Sequence, residues 1–210
     1  MEMNRRKFLG AGLLGPVTTA VGLAGALWSP QASAAPARAE RPLSYAARHG
    51  FLPNVPLVAH TGETFHFYDD LVRDRIVLLN FFVVGCSEGR CPTTNANLRK
   101  VQDMFGERMG KDVFFYSVTL QPELDTVPIL KEYAEDIFEV KPGWLFLTGK
   151  QSDIDTLRRA QGFVDPDPER DSDVTLHSSA GRLINDNKNR WAMVPLNTSA
   201  RNVYTVINTL

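Results

Sequence analysis

The period of apolar and polar positions changes several times along the chain, and each change marks an element. Ile76 to Val84 is an almost unbroken apolar run, the pattern of a strand buried on both faces. Val113 to Thr119 and Trp144 to Thr148 predict two more such strands. Leu57-Val58 and Thr64 to Phe67, separated by Gly62, predict a short hairpin ahead of them. After Pro92 the spacing of Leu98, Val101, Met104 and Phe105 becomes helical, predicting a helix that lays one face on the sheet and ends near Gly110. Ile129, Leu130, Tyr133, Ala134, Ile137 and Phe138 form a second helical stripe, with Asp125 as its N-cap. Ser152 to Asp155 has the pattern of a capping box opening a short helix that stops near Gly162. Residues Asp165 to Asp173 show no apolar periodicity and read as a loop. Val174 to His177, Leu183 to Asn185 and Trp191 to Val194 read as strand material, with Met193 as core filler. Asn197 or Thr198 caps a last helix carrying Val203, Val206, Ile207 and Leu210. Strands alternating with helices and closed by a hairpin and a helix imply a three-layer α/β sandwich around a central mixed sheet.

That order of elements is thioredoxin-like. Two regions precede the domain predicted over residues 57–210. The N-terminus, residues 1–34, opens on Asn4-Arg5-Arg6-Lys7-Phe8-Leu9, continues through a glycine-diluted apolar stretch and ends in Ala32-Ser33-Ala34. This is the pattern of a twin-arginine export signal with an Ala-x-Ala cleavage site, and membrane attachment follows only if the segment is retained. Residues 35–56 mix Ala, Pro and Arg and read as a flexible tether. Cleavage after Ala34 leaves 176 residues with 20 basic and 23 acidic side chains. With no basic field, nucleic acid is not the partner.

Chemistry enters at Gly85-Cys86-Ser87-Glu88-Gly89-Arg90-Cys91-Pro92, which holds the only two cysteines of the chain. A buried strand delivers two thiols to a loop and a helix opens at Pro92, so backbone N–H groups and the helix dipole favour thiolate. Thiolates bind soft metals and exchange disulfides. A structural disulfide across so small a ring contributes only about 2 kcal/mol in the loop-closure model, and a domain of this size folds without it. The spacing is unusual. Positions five apart on one helix diverge by about 140°, so both thiols meet only if Cys86 lies in the loop and Gly89 absorbs the extra residue. His177, at the head of the late hairpin, lies on a loop that a thioredoxin-like sheet could bring toward this helix, although a solitary histidine by itself reads as a solvated or hydrogen-bonded structural residue. His60 and His66 flank the first hairpin and read as solvated or capping residues.

Several blocks together resemble the Sco/SenC family of copper-binding thioredoxin-fold proteins. They are Leu78-Leu79-Asn80-Phe81-Phe82 leading to Cys86, Cys91-Pro92-Thr93-Thr94 with Asn97-Leu98, Val118 to Thr126, Trp144 to Gly149, and His177-Ser178. The resemblance spans roughly Leu57 to Trp191. It implies that Cys86, Cys91 and His177 are copper ligands, with one copper per chain. It also implies delivery of copper, or of reducing equivalents, to the copper site of a respiratory oxidase, the client being an exported or membrane-bound protein such as an oxidase subunit. Three departures from the family pattern are visible: four residues rather than three between the cysteines, Gln121 where Asp is usual, and Leu176 where an acidic residue commonly precedes the histidine. The residues alone leave an alternative open. A metal-free periplasmic thiol-disulfide oxidoreductase would use Cys86 to attack and Cys91 to resolve the mixed disulfide. A peroxidase of the peroxiredoxin type is disfavoured, because Leu79 and Val83 stand where that chemistry places Pro and Thr or Ser.

Overall fold

Strands β1 (Pro56–Ala59), β2 (Thr64–His66), β3 (Ile76–Phe82), β4 (Val113–Thr119), β5 (Trp144–Thr148), β6 (Ala180–Asn185) and β7 (Arg190–Pro195) form one sheet in the order β2-β1-β5-β4-β3-β6-β7. This computed structural model describes residues 42–86 and 90–210, with the backbone alone at Arg90, Cys91 and Thr175. β3, β4 and β5 are parallel and the outer pairs antiparallel, so the sheet is mixed. Helices α1 (Tyr45–Arg48), α2 (Arg90–Phe105), α3 (Val127–Lys131), α4 (Gln151–Ala160), α5 (Pro168–Ser172) and α6 (Ala200–Thr209) join the strands, with a π-helical turn at Phe67–Val72, a 3₁₀ turn at Gly106–Arg108 and a π-helical continuation of α3 over Glu132–Ile137.

The apolar run in β3 is continuous because both of its faces are covered. Val77, Leu79 and Phe81 pack with α4 residues Ile154 and Leu157, while Leu78 and Phe82 pack with α2 and α6 through Leu98, Val101 and Val203. Asn80, the one polar residue of the strand, is satisfied sideways: the Ser117 hydroxyl donates to its Oδ1 at 2.8 Å, and the Trp144 indole N–H donates to Ser117 at 3.0 Å. A polar chain therefore crosses β3, β4 and β5 without leaving a buried group unmatched.

Several sequence expectations are corrected. The described part of the expected tether, residues 42–56, is packed: Ser44 caps α1, and Ala46 and Leu52 are buried in the core against Ile184 and Leu157. Residues 165–173 are not a plain loop, since Asp167 caps α5 and Arg158 donates to both carboxylate oxygens of Asp171, at 2.6 and 2.8 Å. Those bonds, with one from the Asp165 N–H, hold the Asp171 carboxyl well below the ordinary carboxylate range. The fold-back over α4 closes Val174–Leu176 as a 3₁₀ turn rather than a strand. Met193 is 43% exposed and is not core filler, because the period of β7 turns Val194 inward in its place. The cap positions also differ: Lys150 precedes α4, so the Ser152 to Asp155 box does not form, and Ser199 caps α6.

His60 is a buried structural group. Its Nδ1 accepts the Phe146 N–H at 3.2 Å, while its own backbone N–H donates to the Phe146 carbonyl at 2.8 Å. Burial lowers its pKa below the usual 6.5, so the folded protein prefers the neutral ring. The sign follows directly. Above about pH 6.5 the ring is neutral folded or unfolded, and below it only the unfolded chain gains the proton readily, so stability is lost as pH falls. Urea midpoints measured from pH 8 to pH 5 should decline below pH 6.5, and His60→Gln should flatten that decline; equal slopes would refute the assignment.

Candidate functional site

The carboxyl ends of β3 and β4 carry the site. Phe82 is level with Thr119, and the Leu120 N–H donates to the Phe82 carbonyl at 2.9 Å, which holds the two strand exits together. Asp125, expected to cap α3, instead leaves that position to Thr126 and turns its carboxylate inward. Oδ2 accepts the Val84 N–H at 3.2 Å and the Thr119 hydroxyl, and the Thr119 oxygen accepts the Gln121 N–H at 3.0 Å. A carboxylate that is 4% exposed thus clamps the turn Val84-Gly85 just ahead of Cys86. Asp125→Ala should cost about 1–3 kcal/mol by leaving buried donors unmatched, whereas Asp125→Asn, which keeps an acceptor, should cost far less. Urea unfolding checks this, and equal losses in the two variants would show that the clamp is not what matters.

Cys86 lies in the loop after β3 and packs, half-buried, against the core that α2 covers. Cys91 is the second residue of α2, one residue before the helix start that the sequence predicts. The two cysteines therefore do not share a helix, and the 140° divergence along a continuous helix does not apply to them. Residues 87–89, where the additional residue was expected to be absorbed at Gly89, lie outside the described residues. Position in the first turn puts the Cys91 backbone where the helix dipole favours an anion.

His177 follows the 3₁₀ turn Val174–Leu176 and is half-buried, its Nδ1 3.4 Å from the Ser178 carbonyl oxygen. It shares a narrow cleft with Thr94, Asn95 and Leu196. Thr94 and Asn95 are three and four residues after Cys91, on the same side of α2. Hydrogen bonds tie the two elements together. The Asn97 amide donates to the carbonyls of Leu196 at 3.1 Å and Thr198 at 2.8 Å, and the Leu196 N–H donates to Ser179 at 3.0 Å. The fold thus brings the histidine segment against the cysteine helix.

Asn95 was not singled out by the sequence. It is fully buried, its amide nitrogen donates to the Tyr133 hydroxyl at 3.2 Å, and its Oδ1 has no hydrogen-bond partner among the described residues. An unmatched buried acceptor facing a cleft shared with an imidazole is unusual, because such groups are normally paired. The available signal was its spacing of four from Cys91, which puts a polar side chain on the buried face of α2. The other three histidines stand apart: His49 stacks on Tyr45, His60 is structural, and His66 pairs with Asp70 at 3.6 Å on the surface. Among the described residues no cluster of three or more His, Cys, Asp or Glu side chains forms a metal site.

A mixed seven-stranded sheet covered on both faces, with a thiol loop leading into a helix at the end of a central strand, defines a protein of the thioredoxin-like fold. The SCO1/SenC family model matches residues 51–210, and the chain belongs to that family. A SCO2-like protein of Rickettsia prowazekii is 25% identical over 151 residues, 70% of each chain. Among solved structures, a SCO1/SenC family lipoprotein of Bacillus anthracis superposes with a TM-score of 0.61 at 24% identity, covering 76% of this chain and 94% of that one. Yeast Sco1 with copper bound gives 0.60 at 19% identity, covering 75% and 86%. Arabidopsis thaliana ScoI with copper bound gives 0.56 at 20%, covering 75% and 96%. Among the described residues, no helix is long and apolar enough to cross a membrane.

Proposed function

We propose that this protein is an exported copper-binding accessory protein, in which Cys86, Cys91 and His177 hold one copper ion as cargo for the copper site of a respiratory oxidase. The observation that carries the reading is the cleft in which His177 meets the Cys91-bearing helix beside the unmatched Asn95 oxygen. Two thiolates and one imidazole form a soft donor set of low coordination number, which suits Cu(I) and lacks the fourth ligand of a structural zinc site. A ligating imidazole is ordinarily oriented by an acceptor on its other N–H, and Asn95 Oδ1 is the group we assign to that role. The yeast and Arabidopsis thaliana structures are copper-bound, and membership of the family supports the oxidase client. The twin-arginine pattern of residues 1–34 supports export. Exchange with a partner disulfide, which would take up the two electrons and become two thiols, would convert the cysteine pair to a disulfide and remove two ligands, so redox state would govern loading.

Anaerobic titration of the reduced protein with Cu(I) against a chromophoric chelator tests the reading. One equivalent should be taken from the chelator by reduced protein and none by the disulfide form. A reduced protein that takes no copper, yet turns over a partner disulfide, would establish the metal-free oxidoreductase instead.

A further inference from the structure

The hairpin of β6 and β7 packs one face through Ile184 against α1 and α4, and at its outer part Trp191 stays exposed. Trp191, 42% exposed, stacks on Phe51, 47% exposed, with ring centroids 6.0 Å apart. Beneath them Leu52 and Ile184 floor a cavity of about 280 Å³. Two guanidinium groups, Arg159 and Arg182, also line it, and none of its lining residues is acidic.

Among the described residues, neither cation has a committed counter-ion. Arg182 donates through Nε, at 3.2 Å, and through Nη2 to a single acceptor, the Gln161 carbonyl oxygen. Arg159 approaches Asp171 only to 4.0 Å, and that carboxylate is already bonded to Arg158 through both oxygens. The pocket is also built rather than incidental. Gln161 is 3% exposed and its amide nitrogen donates to the Phe51 carbonyl, fixing the rim to α4. Gly162 has φ of 79°, and a Cβ there would stand 3.1 Å from Arg182 Nη2, so glycine lets the guanidinium lie against the chain. Burial pushes the Arg182 pKa down, the expected sign for a cation short of a counter-charge. Holding a cation partly out of water without an anion is costly, and a ligand carboxylate would offset that cost.

The pocket adjoins a larger cavity of about 760 Å³, which shares Arg159 and Gly162 with it and reaches Met193, Leu176 and His177; that cavity is lined by Asp155, Asp165, Asp171 and Asp173 as well as by arginines, so the site free of acidic groups is the pocket itself. A volume of 280 Å³ holds roughly one large side chain, while the trough beyond it has room for more chain. We infer that the pocket between Trp191 and Arg182 anchors an acidic residue flanked by an aromatic one in a partner polypeptide that lies along the trough toward His177. Naming that partner as the copper client rests on the function proposed above; the anchor chemistry does not.

The test uses the full chain, reduced and metal-free, titrated with the peptide acetyl-Gly-Phe-Glu-Phe-Gly-amide while the Trp191 indole N–H resonance is followed by NMR. Saturable shifts are expected, weakened about tenfold when Gln replaces Glu in the peptide and about tenfold in Arg182→Gln, as for loss of a charge-assisted hydrogen bond. Trp191→Ala, at an exposed position and followed by titration calorimetry because it lacks the indole probe, should weaken binding by its own route and serves if Arg182→Gln folds poorly. Absence of binding, equal affinity for the Glu and Gln peptides, or affinity unchanged in both variants would overturn the inference. So would octanoate binding as tightly as the peptide, or a dimer that Arg182→Gln dissolves, since each names a different occupant. Cu(I) uptake measured in parallel separates the two proposals: peptide binding without copper uptake sinks only the cargo reading, and the converse sinks only the anchor.

Discussion

Cys91→Ser should abolish retention of Cu(I) against a competing chelator, and Cys86→Ser should do the same, while His177→Ala should weaken it without eliminating it. The order follows from the ligands. Removing either thiolate leaves one sulfur and an imidazole, and a hydroxyl is too hard a donor to replace sulfur at Cu(I). Removing the imidazole leaves two thiolates, which still make a linear site, but the loss should exceed the 10–100-fold typical of an outer-shell partner. Asn95→Leu should fall within that 10–100-fold range if its oxygen orients the imidazole. Leucine there also removes the unmatched acceptor, so stability should change much less than copper affinity. Competition titrations with the four variants give the ranking in one experiment, and copper affinity unchanged in His177→Ala would remove the imidazole from the site.

The strands that matter were legible because burial on both faces leaves a simple signature. Val113–Thr119 and Trp144–Thr148 have the limits that their apolar runs predict, and β3 is two residues shorter than its run because Val84 is taken by the turn toward Cys86. What the sequence hid were choices made by tertiary partners. Asp125 satisfies the rules of a helix cap, yet two donors across the sheet compete for the same carboxylate and win. Val174 to Leu176 has strand composition, but the Arg158 and Asp171 pair folds the chain back ahead of it. Within the site, the cysteines and His177 were visible as reactive residue types. Asn95 was not, because its interest lies in an acceptor that the fold leaves unmatched, and no residue type announces that.

Gly143→Ala should be the most damaging single substitution for stability. Gly143 ends the turn into β5 with φ of 93°, and Gly110 closes the turn before β4 with φ of 77°. The two backbones touch: a Cβ on Gly143 would stand 2.2 Å from the Gly110 nitrogen and 2.8 Å from its Cα. Neither turn is free to retreat. The Gly143 carbonyl accepts the Phe115 N–H at 2.8 Å, and the Gly110 N–H donates to Val113 at 3.0 Å, so moving either backbone breaks into β4. Overpacking costs about 1–3 kcal/mol, and an L-residue in left-handed conformation costs about 1–2 kcal/mol more. A loss of roughly 2–5 kcal/mol would be a large share of the roughly 5–15 kcal/mol available to a domain. This contact lies at the amino ends of β4 and β5, whereas the Cys86 loop, the start of α2 and Asp125 lie at the other end of the sheet. Whatever fraction of Gly143→Ala folds should therefore take up Cu(I) as the parent does. A urea midpoint close to the parent's would show that the turns can part, and weakened copper binding in the folded fraction would show that the two ends of the sheet are coupled.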